Sequence, residues 1–371
     1  MILPSTPPGC TPRIAHVIST PSGVAGAERV VGSLIAHGRE RGSDQLLLNP
    51  FARDSEHAAI RQLCAPVEYR GFSSTTLRGV PGLAGRLATE IRRWRPDLVH
   101  VHLFHAEVLM AALRPLIRAP LILTHHHGDD LLRQQRRVAA RADRWAGRRF
   151  DRVVAVSGWV SAFLVHGYGY PASKVTLIPN GWIGQPVPRP DQPSQPTVIC
   201  IANFREQKGH RTLLSAFVRV RDSLPNARLL LIGEGGLERS LRNYAAALGI
   251  ADAVKFRGWV EDVWPLLAKS DVFALPSRWE PAGIAVMEAM AAGLPVVASR
   301  VGGLVELIDD RRTGFLITPD DPDALARRLV SLLGSRDERE RIGREARRRV
   351  DSLRMDVTVA RYWGLYESLL G

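Results

Sequence analysis

Lysine is scarce in this chain: of its 50 basic residues only Lys174, Lys208, Lys255 and Lys269 are not arginine. The arginine preference reads as genome composition, which makes each retained lysine worth locating. Cysteine is scarcer still. Cys10, Cys64 and Cys200 are odd in number and far apart, which excludes a disulfide framework and a cysteine zinc site and fits a reducing cytoplasm. No uninterrupted apolar run reaches the roughly 18–20 residues of a membrane span, so a soluble or peripheral protein is expected. The first twelve residues, MILPSTPPGCTP, lack the basic start and apolar stretch of a secretory signal and contain four prolines, so residues 1–12 are read as a disordered tail. Aromatics make up 6% and are not interleaved with the basic residues as a stacking platform, which argues against nucleic acid as a partner. No repeat of 20–50 residues is visible.

What is present is ample apolar content, 45% of 371 residues, enough for two cores. Charge is unevenly placed. Residues 1–185 hold 23 Lys+Arg against 13 Asp+Glu, a balance of +10, while residues 186–371 hold 27 against 24, a balance of +3. The first half therefore favours anionic partners, among them an acidic membrane face. Short β-branched runs at 14–18, 98–102, 121–124 and 153–156 alternate with helical patterns, the rhythm of a parallel sheet. A second series follows at 197–201, 228–232, 254–256, 272–275 and 295–298. Between them PVPRPDQPSQP carries five prolines in eleven residues and reads as a stiff connector. The expected organisation is an α/β pair of doubly wound, Rossmann-like domains, 13–186 and 197–352, joined by a linker at 187–196 and facing across a cleft. A last helix over 353–371 is expected to return to the first domain. In such sheets ligands sit beyond the carboxyl ends of the strands.

The most informative segment follows the 272–275 strand. A loop, Pro276 to Gly283, leads into a helix whose free N–H groups and positive dipole end suit a phosphate, and Ala282, Gly283 and Ile284 allow close approach. An ordinary tight turn is the alternative for Gly283 alone. Glu288 lies one to two turns into that helix among Val286, Met287, Ala289 and Met290, where a carboxylate is costly without hydrogen-bond partners. Ribose hydroxyls are one such partner and an arginine is another.

The spacing of eight between Glu280 and Glu288, with Pro-Ser before and Met-Ala-Ala-Gly-Leu-Pro-Val-Val after, resembles glycosyltransferase family four, whose members have the GT-B fold. The resemblance implies that Glu280 contacts hydroxyls of the transferred sugar, that Glu288 holds the ribose, and that the amides around Ala282, Gly283 and Ile284 meet sugar and phosphate. Arg205 and Lys208 lie in a segment similar to the family's diphosphate motif, and they would neutralise the leaving group. A solvated loop is the alternative there. Many family members carry the arginine five residues before the lysine, where this chain has Asn203. Gly233 to Gly236, and Gly258, Trp259 and Val260, resemble stretches passing near the donor base; each by itself is only a turn. Residues 301–306, ending at Glu306, also match a family segment, with a structural role for Glu306 left open.

In the first half, Gly23, Gly26, Ala27 and Glu28 open a helix after the 14–18 strand and resemble the family's first glycine-rich loop, although they do not form a dinucleotide fingerprint and an ordinary glycine-rich turn is the alternative. Two histidine clusters end successive strands: His100, His102 and His105, then His125, His126 and His127. Both are expected to point at the cleft. The resemblance assigns His126 to the reacting sugar, with His125 and His127 as neighbours for the same role. His-x-His plus a third histidine is also a metal-site pattern, which would suit a hydrolase. A retaining reaction dependent on a UDP- or GDP-linked sugar, with no resident cofactor or metal, is what the family implies. It works by positioning and charge stabilisation. Asp321 and Asp323 form a D-x-D that is better read as a helix cap. Arg133, Arg137, Arg141, Arg144 and Arg148 recur at helical spacing opposite Leu131, Val138, Ala142 and Trp145, a basic amphipathic helix that is either a solvated cationic face or a dock for anionic lipid.

The expected function is sugar transfer to a glycan or lipid-linked acceptor in cell-surface polysaccharide or glycolipid assembly, in the cytoplasm or at the inner face of the membrane. The alternatives are the metal-dependent hydrolase and a catalytically silent GT-B module that binds a glycan or a partner.

Overall fold

The computed structural model describes residues 11–19, 26–50, 68–71, 80–126, 137–188 and 195–371. The chain divides into two compact units. The first comprises Met1–Val156, Val160–Ile178 and Val359–Gly371, and the second Ser157–Trp159 and Pro179–Thr358.

The first unit is built on seven parallel strands: β1 (Arg13–Ile18), β2 (Asp44–Asn49), β3 (Glu68–Gly71), β4 (Leu98–His102), β5 (Leu121–His125), β6 (Arg152–Ala155) and β7 (Val175–Leu177), in the order β3-β2-β1-β4-β5-β6-β7. β4 and β5 are buried at every position, as a sheet covered on both faces requires. Chain order reverses between β1 and β4, the crevice position where doubly wound sheets open beyond their carboxyl ends. The register there sets His16 beside His100, Ile18 beside His102, and His102 beside Thr124. Three of these strands, β2, β3 and β7, were not anticipated. β3 and β7 are four- and three-residue edge strands with little apolar patterning, and β2 hides Gln45 in an otherwise leucine-rich run. The C-terminal helix Met355–Leu370 sends Tyr362 and Tyr366, both fully buried, to the polar side chains of β4 and β5. Tyr366 Oη lies 2.6 Å from His100 Nδ1, and Tyr362 Oη 3.1 Å from Thr124 Oγ1.

The second unit has six parallel strands, β8 (Thr197–Ile201), β9 (Arg228–Ile232), β10 (Val254–Phe256), β11 (Val272–Leu275), β12 (Val296–Ser299) and β13 (Phe315–Ile317), in the order β10-β9-β8-β11-β12-β13. Its reversal point lies between β8 and β11. Helices such as His210–Ser223 and Pro322–Gly334 bury their Leu, Ala, Phe and Val faces in one continuous core. Asp321 caps Pro322–Gly334 by accepting the Ala324 amide at 2.8 Å, and Asp323 pairs with Arg219, so the D-x-D is structural.

The chain enters the second unit at Pro179, eight residues ahead of the expected linker, part of which lies outside the described residues. The reason is Trp182: it is buried in the second core, its ring N–H donates to Val350 O at 2.9 Å, and its amide donates to Leu353 O. Among the described residues no helix is long and apolar enough to cross a membrane.

Candidate functional site

Beyond the ends of β8, β9, β10 and β11, four loops of the second unit are stitched together by backbone hydrogen bonds. The Phe204 amide donates to Glu234 O, Gly233 N to Gly258 O at 2.8 Å, and Arg278 N to Gln207 O at 2.8 Å. Gln207 Nε2 donates to Trp279 O at 3.1 Å. Gly209 closes the short 3-10 turn Glu206–Lys208 with φ +68°, and a Cβ there would collide with the Pro276 carbonyl. Only glycine lets the β8 loop cross the β11 loop this closely.

The crossing brings two charges together. Lys208 Nζ donates to Glu280 Oε2 at 2.6 Å, and Ser277 Oγ reaches the same oxygen at 3.5 Å. The Glu280 side chain is 9% exposed and that of Lys208 19%, so the pair is shielded from screening yet open on one side. The Glu280 carbonyl accepts the Gly303 amide at 2.9 Å, which fixes the loop from below. Gly283, at φ +70°, then turns the chain into the helix Ile284–Ala291; a Cβ on it would lie 2.6 Å from Leu304 Cδ2. That helix presents its first-turn N–H groups beside Ala282 and Gly283, and carries Glu288 fully buried on its inner face. Arg205 is exposed at the start of the lysine turn. Gly258, Trp259 and Val260 sit beside the β9 loop, where the Trp259 amide donates to Glu234 Oε1 at 3.3 Å and the indole is 49% exposed. Burial pushes the Cys200 thiol in β8 up to about 12, so it is chemically quiet. Glu306 accepts the amide of Gly158, which counts with the second unit, at 2.9 Å.

The first unit places its polar side chains on the strands themselves. His126, just past β5, is partly exposed, and its Nε2 lies 3.2 Å from His102 Nδ1. His102 Nε2 is 3.4 Å from His16 Nδ1, and His16 Nε2 is 3.0 Å from Gln45 Oε1. Burial drives these rings towards the neutral form. The pKa of His16 falls to about 4 and that of His126 to about 3, while His100 and His102 drop well below the ordinary value with help from neighbouring imidazoles.

His100 does not present a free ring at the strand end as expected: it is fully buried, with Nδ1 on Tyr366 and Nε2 2.6 Å from Thr124 Oγ1. His125 is also fully buried, with Nε2 3.7 Å from Asp143 Oδ1, which leaves His126 as the partly exposed member of its described pair. His127 and Gly23 lie outside the described residues. Gly26, Ala27 and Glu28 open the helix Gly26–Glu40, with Glu28 buried in its first turn.

The metal-site pattern does acquire a third histidine, because the ring nitrogens of His16, His100 and His102 lie within 4.8 Å of one another. Each of those rings, however, engages both nitrogens in hydrogen bonds within the protein. A second buried group with ligand chemistry is Glu107, His125 and Asp143. His16, Gln45, Tyr362 and Tyr366 were not singled out from the sequence. The one signal was polarity at positions inside apolar strand and helix patterns.

The basic helix spans Arg137–Gly147 among the described residues, with Arg133 outside them. Its packed face is Asp143, Ala146 and Gly147, whereas Val138 and Trp145 are exposed at 79% and 40%. The apolar stripe expected from the spacing is therefore not the face that packs.

A family model described as "Glycosyltransferase Family 4" matches residues 24–182, and one described as "Glycosyl transferases group 1" matches residues 187–349. The chain is 30% identical over 268 residues to a GDP-mannose-dependent alpha-(1-6)-phosphatidylinositol monomannoside mannosyltransferase of Mycobacterium tuberculosis, covering 66% of this chain and 69% of that protein. It is 28% identical over 278 residues to a glycogen synthase of the same species, covering 72% and 67%. In three dimensions it is similar to Anabaena Alr3699/HepE in complex with UDP and glucose, with a TM-score of 0.82 and 22% identity over 96% of this chain and 100% of that one. That likeness establishes the fold.

Proposed function

The chain belongs to glycosyltransferase family 4 and has its GT-B fold, and from that premise we propose a transferase that takes a sugar from a UDP- or GDP-linked donor, with retention of anomeric configuration. The acceptor is a glycan or lipid-linked glycan in cell-surface polysaccharide or glycolipid assembly. The observation that carries this reading is the Lys208–Glu280 pair at the reversal point between β8 and β11.

Chemically, cleaving the anomeric carbon–oxygen bond leaves charge on the diphosphate. Lys208 supplies a compact cation, Arg205 a second, and the first turn of Ile284–Ala291, with Ala282 and Gly283, supplies N–H groups. As the phosphate takes Lys208, Glu280 is freed for hydroxyls of the transferred sugar, and Glu288 takes the ribose. The loop at Gly258, Trp259 and Val260 borders the base. The acceptor oxygen bonds to the anomeric carbon as the phosphate oxygen leaves on the same face, and the acceptor proton passes to the departing diphosphate. His126 orients the sugar, with the loop at Gly26, Ala27 and Glu28 beside the substrates. No covalent nucleophile, resident metal or cofactor is required, since the work is positioning and charge neutralisation. A thermal-shift screen across UDP-, GDP- and ADP-sugars tests the reading. One donor class is expected to raise the melting temperature of the wild type and to lose that effect in Glu288→Gln. No shift with any of them would sink the donor assignment.

The finer location follows from the excess of positive charge in the first half and from the exposed Trp145 among the arginines of Arg137–Gly147. The protein attaches peripherally to the inner, anionic face of the membrane. Co-sedimentation with acidic vesicles, weakening with salt, is the expected result; equal binding to neutral vesicles would remove it.

A further inference from the structure

The histidines of the first unit form a chain whose direction can be worked out atom by atom. It starts at a backbone carbonyl. Ser43 Oγ lies 2.8 Å from Pro12 O and 3.5 Å from Asp44 O, and carbonyl oxygens only accept, so the single hydroxyl proton of Ser43 is committed to them. Ser43 Oγ must then accept from its other partner, Gln45, whose amide nitrogen sits 2.7 Å away. This settles which end of the Gln45 amide faces which neighbour, and turns Oε1 towards His16. Because Oε1 only accepts, the proton between them belongs to His16 Nε2.

A neutral imidazole carries one N–H, so His16 Nδ1 is an acceptor and the proton between it and His102 lies on His102 Nε2. The same step repeats: His102 Nδ1 accepts, and the proton lies on His126 Nε2. Burial of His16 and His102, and the lowered pKa of the partly exposed His126, support the neutral bookkeeping. The chain thus runs across β2, β1, β4 and the end of β5, and each link is set by the one before it. Glycine at position 38 is part of the arrangement. It lies on the helix Gly26–Glu40, and a Cβ there would collide with Gln45 Nε2, so only glycine leaves room for the amide to reach both Ser43 and His16.

We infer that Gln45, His16 and His102 are positioning residues that hold His126 with its proton on Nε2 and its Nδ1 lone pair bare, in a direction set at the Pro12 carbonyl. A bare Nδ1 accepts an O–H and cannot donate, so the groups that His126 orients are hydroxyls of the sugar or acceptor and not a phosphate or carbonyl oxygen. The functional half of this statement rests on the proposed place of His126 in sugar transfer; the tautomer itself does not.

The test is a long-range proton–nitrogen correlation spectrum of the full chain labelled with nitrogen-15 histidine, assigned by single substitution of each ring. In the unmodified protein His16, His102 and His126 are expected to show a protonated Nε2 and a bare Nδ1. In Gln45→Met the ring signals of all three should move towards those of exchanging tautomers. His100, tied to Tyr366 and Thr124, should stay in place. In the same variant kcat should fall roughly 10- to 100-fold, the range known for groups that orient a metal-bound imidazole, with the KM for donor unchanged. A proton on His126 Nδ1 in the unmodified protein overturns the inference, even if Gln45→Met fails to fold. Unmoved His126 signals in a folded Gln45→Met overturn it as well, as does a stoichiometric metal ion on His16, His100 and His102, which would take the nitrogens the chain uses. Full activity in His126→Ala would instead remove His126 from the reaction while leaving the tautomer result standing.

Discussion

The polar groups at the strand ends of the first unit are uncharged rings and hydroxyls mounted on the strands, whereas those of the second are a lysine, a glutamate and backbone amides mounted on loops, with Glu288 on the helix Ile284–Ala291. The difference teaches how the two halves carry their chemistry. Strand-mounted imidazoles in a buried sheet are held neutral and in fixed orientation, which suits recognition by hydrogen-bond direction. Loop-mounted charges shielded on one side can exchange partners, which suits a diphosphate. The transfer proposed above draws on both.

Two experiments press on this contrast. The larger effect belongs to Lys208→Met, which removes the compact cation while leaving the loop stitching to backbone groups. The kcat is expected to fall roughly 100- to 1,000-fold, as when one preorganised stabiliser of a leaving charge is lost. Retention of full activity would move the charge-bearing role away from the second unit.

The smaller effect is acid lability. His16, His100, His102 and His126 all titrate lower in the folded first unit than in an unfolded chain, through burial first, whereas among the described residues of the second unit His210 is the histidine so shifted, to about 4. A depressed histidine means that the unfolded chain binds more protons between the folded value and 6.5. Stability is therefore complete above about 6.5 and declines as pH falls towards 4 and 3. For His16 alone the loss is about 3 kcal/mol. Hydrogen exchange followed down the pH scale should show β1, β4 and β5 losing protection before β8 and β11. The reverse order would break the contrast.

Much of the architecture was legible because parallel strands covered on both faces are continuous apolar runs: β4, β8, β9, β10 and β11 appear in the sequence with the limits they have in the fold. The unanticipated strands, β2, β3, β7 and β13, are short or edge elements, or carry a buried polar residue, and their pairing comes from neighbours distant in sequence. In the candidate site, Lys208 and Glu280 stood out separately through their loops, but their pairing spans 72 positions and depends on Gly209 allowing two loops to cross. His126 was readable as one of three adjacent histidines. What holds it was not, since Gln45 and His16 reach it only through the β2-β1-β4-β5 adjacency. The exposure of Trp145 and Val138 shows the opposite failure: helical spacing indicated a face, but the core took the neighbouring one around a buried Asp143.

If sugar transfer runs as proposed, the Lys208–Glu280 pair has a consequence for turnover. With the whole donor bound, each of the two groups has a substitute partner, phosphate for the lysine and sugar hydroxyls for the glutamate. Once the sugar has moved to the acceptor, Glu280 is left nearly buried without a cation, and the nearest one is the lysine that grips the spent nucleotide. The carboxylate then competes with the product for that lysine. In the proposed reaction, reforming the pair returns both groups to the partners they have here and drives out the nucleoside diphosphate, so the same contact serves as its ejector.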